Sequence, residues 1–282
     1  MANANIRSIS IARRVLMQQK TGMEESMRAL ILDKPGPVES LRVAEAPDPQ
    51  PKAGEIRVRV AAVGLNPVDC KLAGRGNPHW NYPHVLGLDV AGTVDALGEG
   101  VENWRVGDRV VYHGDLSKPG GFAELAVTTA HTTAAIPEDV SFVDAAALPC
   151  AGLTAYQGLV RRLRVRAEQI VWVQGGAGGV GGYGVQIAAR AGATVITTAS
   201  PGNFERVAAL GAQHVIDYNG EDVVARIGEI TGGLGVDAVQ AAVDAQTADQ
   251  GIEALRFAGA ISCIAGLDRK STRLNSSHQI IS

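Results

Sequence analysis

The chain has 282 residues, a formal charge of −3 and 46% hydrophobic content, enough to bury the core of one large or two ordinary domains. That charge balance gives no electrostatic footprint for nucleic acid or for an anionic membrane surface. Three widely spaced cysteines, Cys70, Cys150 and Cys263, with no CxxC, exclude a disulfide framework and a structural zinc knuckle, and fit a reducing, cytoplasmic compartment.

Residues 1–26 carry Arg7, Arg13, Arg14 and Lys20 with no acid before Glu24, and MRALILDKPG from Met27 reads as a natural beginning. The leading segment is therefore expected to be an extension or a start assigned too early, with a transit peptide as the alternative. From Glu55, EIRVRVAAV puts Ile56, Val58 and Val60 on one face and Arg57 and Arg59 on the other, which predicts a half-buried strand. GLDVAGTVDALG, GDRVVYH and GFAELAVT continue as short apolar runs bounded by glycine, so residues 27 to about 135 predict an all-β, loop-rich region. Ser141 and Asp144 predict a capping box for SFVDAAAL.

The longest uncharged run, Gln169 to Ala189, contains seven glycines between Gly175 and Gly184, which argues for strand, turn and helix rather than a lipid-facing span. Residues 170 to 265 then alternate apolar strands (IVWVQ, TVITTA, HVIDY, VDAVQAAV, AISCIAG) with helical segments. Repeated strand-helix units predict right-handed crossovers and a parallel sheet covered on both faces, a doubly wound nucleotide-binding domain.

Gly176, Ala177, Gly178, Gly179, Val180 and Gly181 match G-x-G-x-x-G directly after the first of these strands and at the start of a helix. In that setting the glycines serve a tight turn, backbone approach to a pyrophosphate and close helix packing, with the helix N-terminus facing the phosphates. The second strand ends TVITTASPGN, with Ser200 where an NAD-binding domain usually carries an acid. Nothing there repels a 2′-phosphate, so the expected cofactor is NADPH. Arg206 is read either as its charge partner or as an ordinary solvated helix arginine.

GLNPVDCK, VLGLDVAGTVDALGEGV, GDRVV, GGFAELAV, LPCAGLTAY, GGAGGVG and LGAQHVIDY, in this order, resemble the medium-chain dehydrogenase/reductase superfamily, and within it the zinc-independent quinone oxidoreductase branch that includes zeta-crystallin. The resemblance covers Met27 to Leu267. It implies a GroES-like catalytic domain (27–150), a Rossmann domain (151–267) and a cleft where nicotinamide meets substrate. It also implies a homodimer for the full-length parent.

Zinc alcohol dehydrogenases of the superfamily take their metal ligands from Gly-x-Cys, Gly-His-Glu and a cysteine ahead of Thr-x-Tyr. Here the first two positions are Asn66 and Leu88, and only Cys150 remains. An amide and an isobutyl group cannot replace a thiolate and an imidazole, so no metal is expected. Without a Lewis acid, the expected partner is an already electrophilic small molecule, a quinone or an α,β-unsaturated carbonyl. A zinc-free alcohol dehydrogenase or enoyl reductase, and a non-enzymatic NADPH-binding crystallin or RNA-associated protein, are the alternatives.

By the same resemblance Asn66 lies near nicotinamide and substrate as an oxyanion donor, although Asn-Pro is also turn chemistry. Lys71, where many relatives carry tyrosine, is a proton or charge source or a surface lysine. Thr154 sits beside the nicotinamide ring and Tyr218 by the adenosine phosphate. Ile264, Ala265 and Gly266 line the nicotinamide amide at the end of the fifth strand. His79, His84, His113 and His131 show no metal spacing or nucleophile partner and read as polar surface. Residues 268–282, DRKSTRLNSSHQIIS, have no apolar period and read as a non-native, adapter-like tail, which would leave the last strand edge unpaired.

Overall fold

The computed structural model describes residues 26–264 and 279–281. The chain separates into two compact units between Cys150 and Ala151.

The first unit is built on strands β1 (Ser26–Leu32), β2 (Arg42–Pro47), β3 (Glu55–Gly64), β4 (His84–Val85), β5 (Asp89–Leu97), β6 (Arg109–His113), β7 (Leu125–Thr129) and β8 (Ala134–Ala135). They form a three-stranded sheet ordered β2-β1-β4 and a five-stranded sheet ordered β7-β3-β5-β6-β8, antiparallel throughout. The alternation expected at Glu55 is present: Ile56 and Val58 are fully buried with Val90, Val94, Val110 and Tyr112, while Arg57 and Arg59 both pair with Asp95. Two register shifts between β3 and β5, at Arg57/Val58 and at Val60/Ala62, interrupt the regular pairing.

The segment expected to be all-β also contains a helix, α1 (Pro67–Arg75). Asn66 is extended at its N-cap and Pro67 occupies the first turn, where a missing N–H costs nothing, so Asn-Pro opens a helix here instead of making a turn. Further on lies α2 (Phe142–Ala146), where Ser141 Oγ accepts from the Asp144 amide at 3.0 Å. The Asp144 carboxylate answers to the serine hydroxyl, not to the cap backbone, so only half of the expected box forms. Helix α3 (Pro149–Tyr156) follows and runs on into a π-helical turn over Gln157–Arg162.

The second unit alternates as expected: β9 (Ile170–Val173), α4 (Gly179–Arg190), β10 (Thr194–Ala199), α5 (Phe204–Ala209), β11 (His214–Asp217), α6 (Val223–Ile230), β12 (Val236–Ala241), α7 (Ala245–Glu253), β13 (Leu255–Cys263) and β14 (Gln279–Ile281). All six strands are parallel in the order β11-β10-β9-β12-β13-β14. The chain winds outward both ways from β9, the Rossmann arrangement, with its ligand crevice at the carboxyl ends where the winding reverses. The edge of β13 is not left open: Gln279–Ile281 pairs beside it.

The period of two along β9 explains the two core layers. Trp172 enters one with Ile196, Ile227, Val239 and Ile261, while Val171 and Val173 enter the other with Val185, Ala188 and Leu159. Each such fully buried valine, leucine or isoleucine side chain contributes roughly 1.5–3 kcal/mol. The turns that return helices to strands carry left-handed glycines, Gly192 at φ 81°, Gly211 at 113° and Gly232 at 61°.

Candidate active site

In the second unit, β9 leads into the glycine loop at its carboxyl end. The left-handed residue is Gly175, φ 64°, one position ahead of the fingerprint expected to make the turn. Its amide is held by Thr198 Oγ1 at 3.0 Å, and the Gly176 amide by the Thr198 carbonyl at 3.0 Å, which ties the loop to β10. A Cβ on Gly176 would strike the Thr197 side chain and one on Gly181 the Gly175 carbonyl, so both glycines serve close packing. Gly178 meets only the Gly175 carbonyl, at 3.3 Å, and caps α4 without a side-chain bond. Gly178 and the first-turn residues Gly179 and Val180 thus offer bare backbone at a helix N-terminus, a cradle for a phosphate. Ala177 directs its carbonyl to the Arg206 guanidinium.

At the end of β10, Ser200 Oγ accepts from Asn203 Nδ2 at 2.9 Å, and exposed Arg206 lies on the following α5. Tyr218, just past β11, is 55% exposed. Thr154 and Ile264 come together in one cavity of about 140 Å³, with Gln157, Gly158, Arg162, Ser262 and Cys263. Ala265 and Gly266 lie outside the described residues.

In the first unit, the buried carboxylate of Asp89 joins four elements. Its Oδ1 lies 2.6 Å from His113 Nδ1 on β6, and its Oδ2 accepts from Asn66 Nδ2 at 2.9 Å and from the Cys150 amide, at the start of α3, at 3.0 Å. The other neighbour of Asn66 Nδ2 is the Gly64 carbonyl at a long 3.5 Å, so that second N–H is open to a stronger acceptor. Asp69 takes the Asn66 amide on Oδ2 at 2.8 Å, while its Oδ1 is buried without a partner. Burial, helped by the charge of Asp89, pushes the Asp69 carboxyl up to about 6. Burial, then Asp89 and Asp69, pushes the Cys150 thiol up to about 11. Lys71 is exposed on α1.

Two histidines read as polar surface are not so. His84 is buried and stacks on Trp80 with centroids 4.0 Å apart, and His113 holds Asp89. Both stand on strands bounded by glycine-rich turns, where spacing gives no hint of a partner 24 residues away such as Asp89 is to His113.

Residues 52–138 match the alcohol dehydrogenase GroES-like domain, and residues 179–282 the zinc-binding dehydrogenase domain. A quinone oxidoreductase of Salmonella typhimurium is 35% identical over 227 residues, covering 80% of this chain and 69% of its own. A chloroplast envelope quinone oxidoreductase homolog of Arabidopsis thaliana is 39% identical over 191 residues, 65% of this chain and 58% of its own. The structure of the quinone oxidoreductase from Coxiella burnetii superposes with a TM-score of 0.83 at 31% identity, over 92% of this chain and 83% of that one. The chain belongs to the medium-chain dehydrogenase/reductase superfamily, in its quinone oxidoreductase branch.

Members of this superfamily are oxidoreductases with a nicotinamide cofactor, and the glycine cradle on α4 fits the pyrophosphate of such a cofactor. The chain spans 58% and 55% of the length of two of the curated relatives it matches. Among the described residues no helix is long and apolar enough to cross a membrane.

The domain description raises zinc. Asp89, His113 and Cys150 offer donor atoms within 4.8 Å of one another. Both Asp89 oxygens, however, are engaged by His113, Asn66 and the Cys150 amide, so a cation there would compete with bonds the fold already makes. Asp89 itself was missed in the sequence, because Gly87-Leu88-Asp89 drew attention only to what Leu88 lacks.

Proposed function

We propose that this chain is the main part of an NADPH-dependent reductase that passes hydride to a quinone or an α,β-unsaturated carbonyl without zinc. The observation that supports it is Asn66, an amide that donates to the Asp89 carboxylate where a metal ligand would stand. When bound, the nicotinamide supplies the hydride. Reduction of a quinone then needs one further proton and a donor for the oxygen that gains charge.

Asn66 Nδ2 is that donor in our reading, through the N–H that its long contact with Gly64 leaves available. Thr154 and Ile264, with Ala265 and Gly266 next in sequence, hold the nicotinamide end, and Gly176 to Gly181 hold the pyrophosphate. Ser200, with Arg206 six residues on in α5, takes the 2′-phosphate, and Tyr218 the adenosine side. Lys71, exposed on α1, is assigned a charge at the mouth of the acceptor site. The protein acts in the cytoplasm, as a homodimer in its full-length form.

Following NADPH and NADH absorbance with a quinone, an enone and an alcohol with NADP tests this. Quinone- or enone-dependent oxidation of NADPH that survives a chelator is expected. Activity that disappears with the chelator and returns with zinc refutes it.

A further inference from the structure

We infer that His113 and Asp89 form a positioning pair that fixes the orientation of the Asn66 amide. The inference rests on the reductase reading above for its kinetic consequence, but its geometry stands alone. An asparagine on a loop-to-helix junction can present either its oxygen or its nitrogen to a ligand, and only a fixed acceptor decides which. Asp89 Oδ2, 2.9 Å from Asn66 Nδ2, is that acceptor.

A carboxylate 2% exposed would itself swing or protonate without anchors. It has two besides Asn66: the Cys150 amide on Oδ2 and the His113 ring on Oδ1. The pair Nδ1–H to carboxylate leaves Nε2 of a ring 35% exposed, so His113 reaches solvent while Asp89 does not. Without the His113 ring, Oδ1 loses this anchor and the carboxylate is free to turn away from Asn66.

The other titratable groups facing His113 are Asp69 on α1 and the Cys150 thiol at the start of α3. Strand β8, paired to β6, brings only Ala134 and Ala135. The acid of α2, Asp144, is bonded to Ser141.

The test uses the full chain labelled with ¹⁵N. The expected result is the Nδ1–H tautomer of the His113 ring and an Asn66 side-chain amide resonance displaced from that of a solvated asparagine. In His113→Asn, whose Nδ2 can occupy the place of Nδ1, the Asn66 resonance keeps its wild-type position. In His113→Ala it shifts, and kcat for quinone falls about 10- to 100-fold while KM for NADPH changes less than about twofold.

An Asn66 amide resonance that His113→Ala leaves in place overturns the inference, as does a folded His113→Ala enzyme with the wild-type kcat. A wild-type chain that reduces no acceptor refutes the reductase reading instead. The His113→Asn and His113→Ala resonances then still decide whether the pair positions Asn66.

Discussion

Asn66 Nδ2 and Asp89 Oδ2 are 2.9 Å apart, and this bond fastens the N-cap of α1 to the first residue of β5. Asp89 also holds β6 and the start of α3. Asp89→Ala is therefore expected to cost about 3–5 kcal/mol, because it orphans donors on three elements at once. Asp89→Asn, which keeps an acceptor, should cost less. Urea unfolding of the two variants beside the wild type gives the comparison, and equal losses would show that the carboxylate charge, not its shape, is what matters.

Two glycines of the loop should separate folding from binding. A Cβ at Gly181 collides with the Gly175 carbonyl, so Gly181→Ala should lower stability and cofactor affinity together. Gly178→Ala meets only a 3.3 Å contact, so it should melt near the wild type yet bind NADPH about tenfold or more weakly, since the methyl occupies the phosphate approach. Thermal melts paired with fluorescence titration distinguish the outcomes.

The cofactor choice can be inverted at one position. Ser200→Asp puts a carboxylate at the end of β10, where it repels a 2′-phosphate and can accept from ribose hydroxyls. NADPH affinity should fall about tenfold or more with NADH unchanged or improved, and Arg206→Ala should weaken NADPH alone. If both variants bind the two nucleotides as the wild type does, the 2′-phosphate lies elsewhere.

Asp69 makes stability depend on pH. Its carboxyl is raised from 3.8 to about 6, so the folded state binds more protons than the unfolded one between those values. The contribution of Asp69 is thus least unfavourable below about 4, worsens as pH rises, and is fully adverse above about 6. Asp69→Asn keeps an acceptor for the Asn66 amide and removes the titration. Its unfolding free energy should gain on the wild type between pH 4 and pH 7, by up to roughly 2–3 kcal/mol. A constant difference across that range would count against the shift.

The three thiols should differ in reactivity. Cys70 is exposed, whereas burial pushes Cys150 and Cys263 up to about 11. At pH 8 a chromogenic disulfide should titrate one thiol quickly and two only after denaturation.

Much of this fold was legible because the second unit repeats one local grammar. An apolar strand of four to six residues and an amphipathic helix admit little but a parallel sheet, and TVITTA or VDAVQA could hardly be anything else. The site was legible in part. The glycine fingerprint is written in consecutive residues, but the left-handed turn residue is Gly175, outside the motif, since a backbone conformation is not a spacing. Asn66 was visible, yet its anchor was not: Asp89 and His113 meet across neighbouring strands, and pairing register is invisible until β5 and β6 are aligned. Likewise Asn-Pro signals both a turn and a helix start, and only the apolar partners of Leu72 and Ala73 choose between them.

The parallel sheet also divides its loops by task. Glycine cradle, Ser200, Tyr218 and Ile264 all follow strands at one rim, whereas Gly192, Gly211 and Gly232 to Gly235 close turns at the other. The second rim carries no proposed ligand, and Leu234 at its tip is 76% exposed. A reporter or affinity handle inserted there would leave the nucleotide loops as they stand, which makes that rim the natural place to splice foreign sequence into this protein.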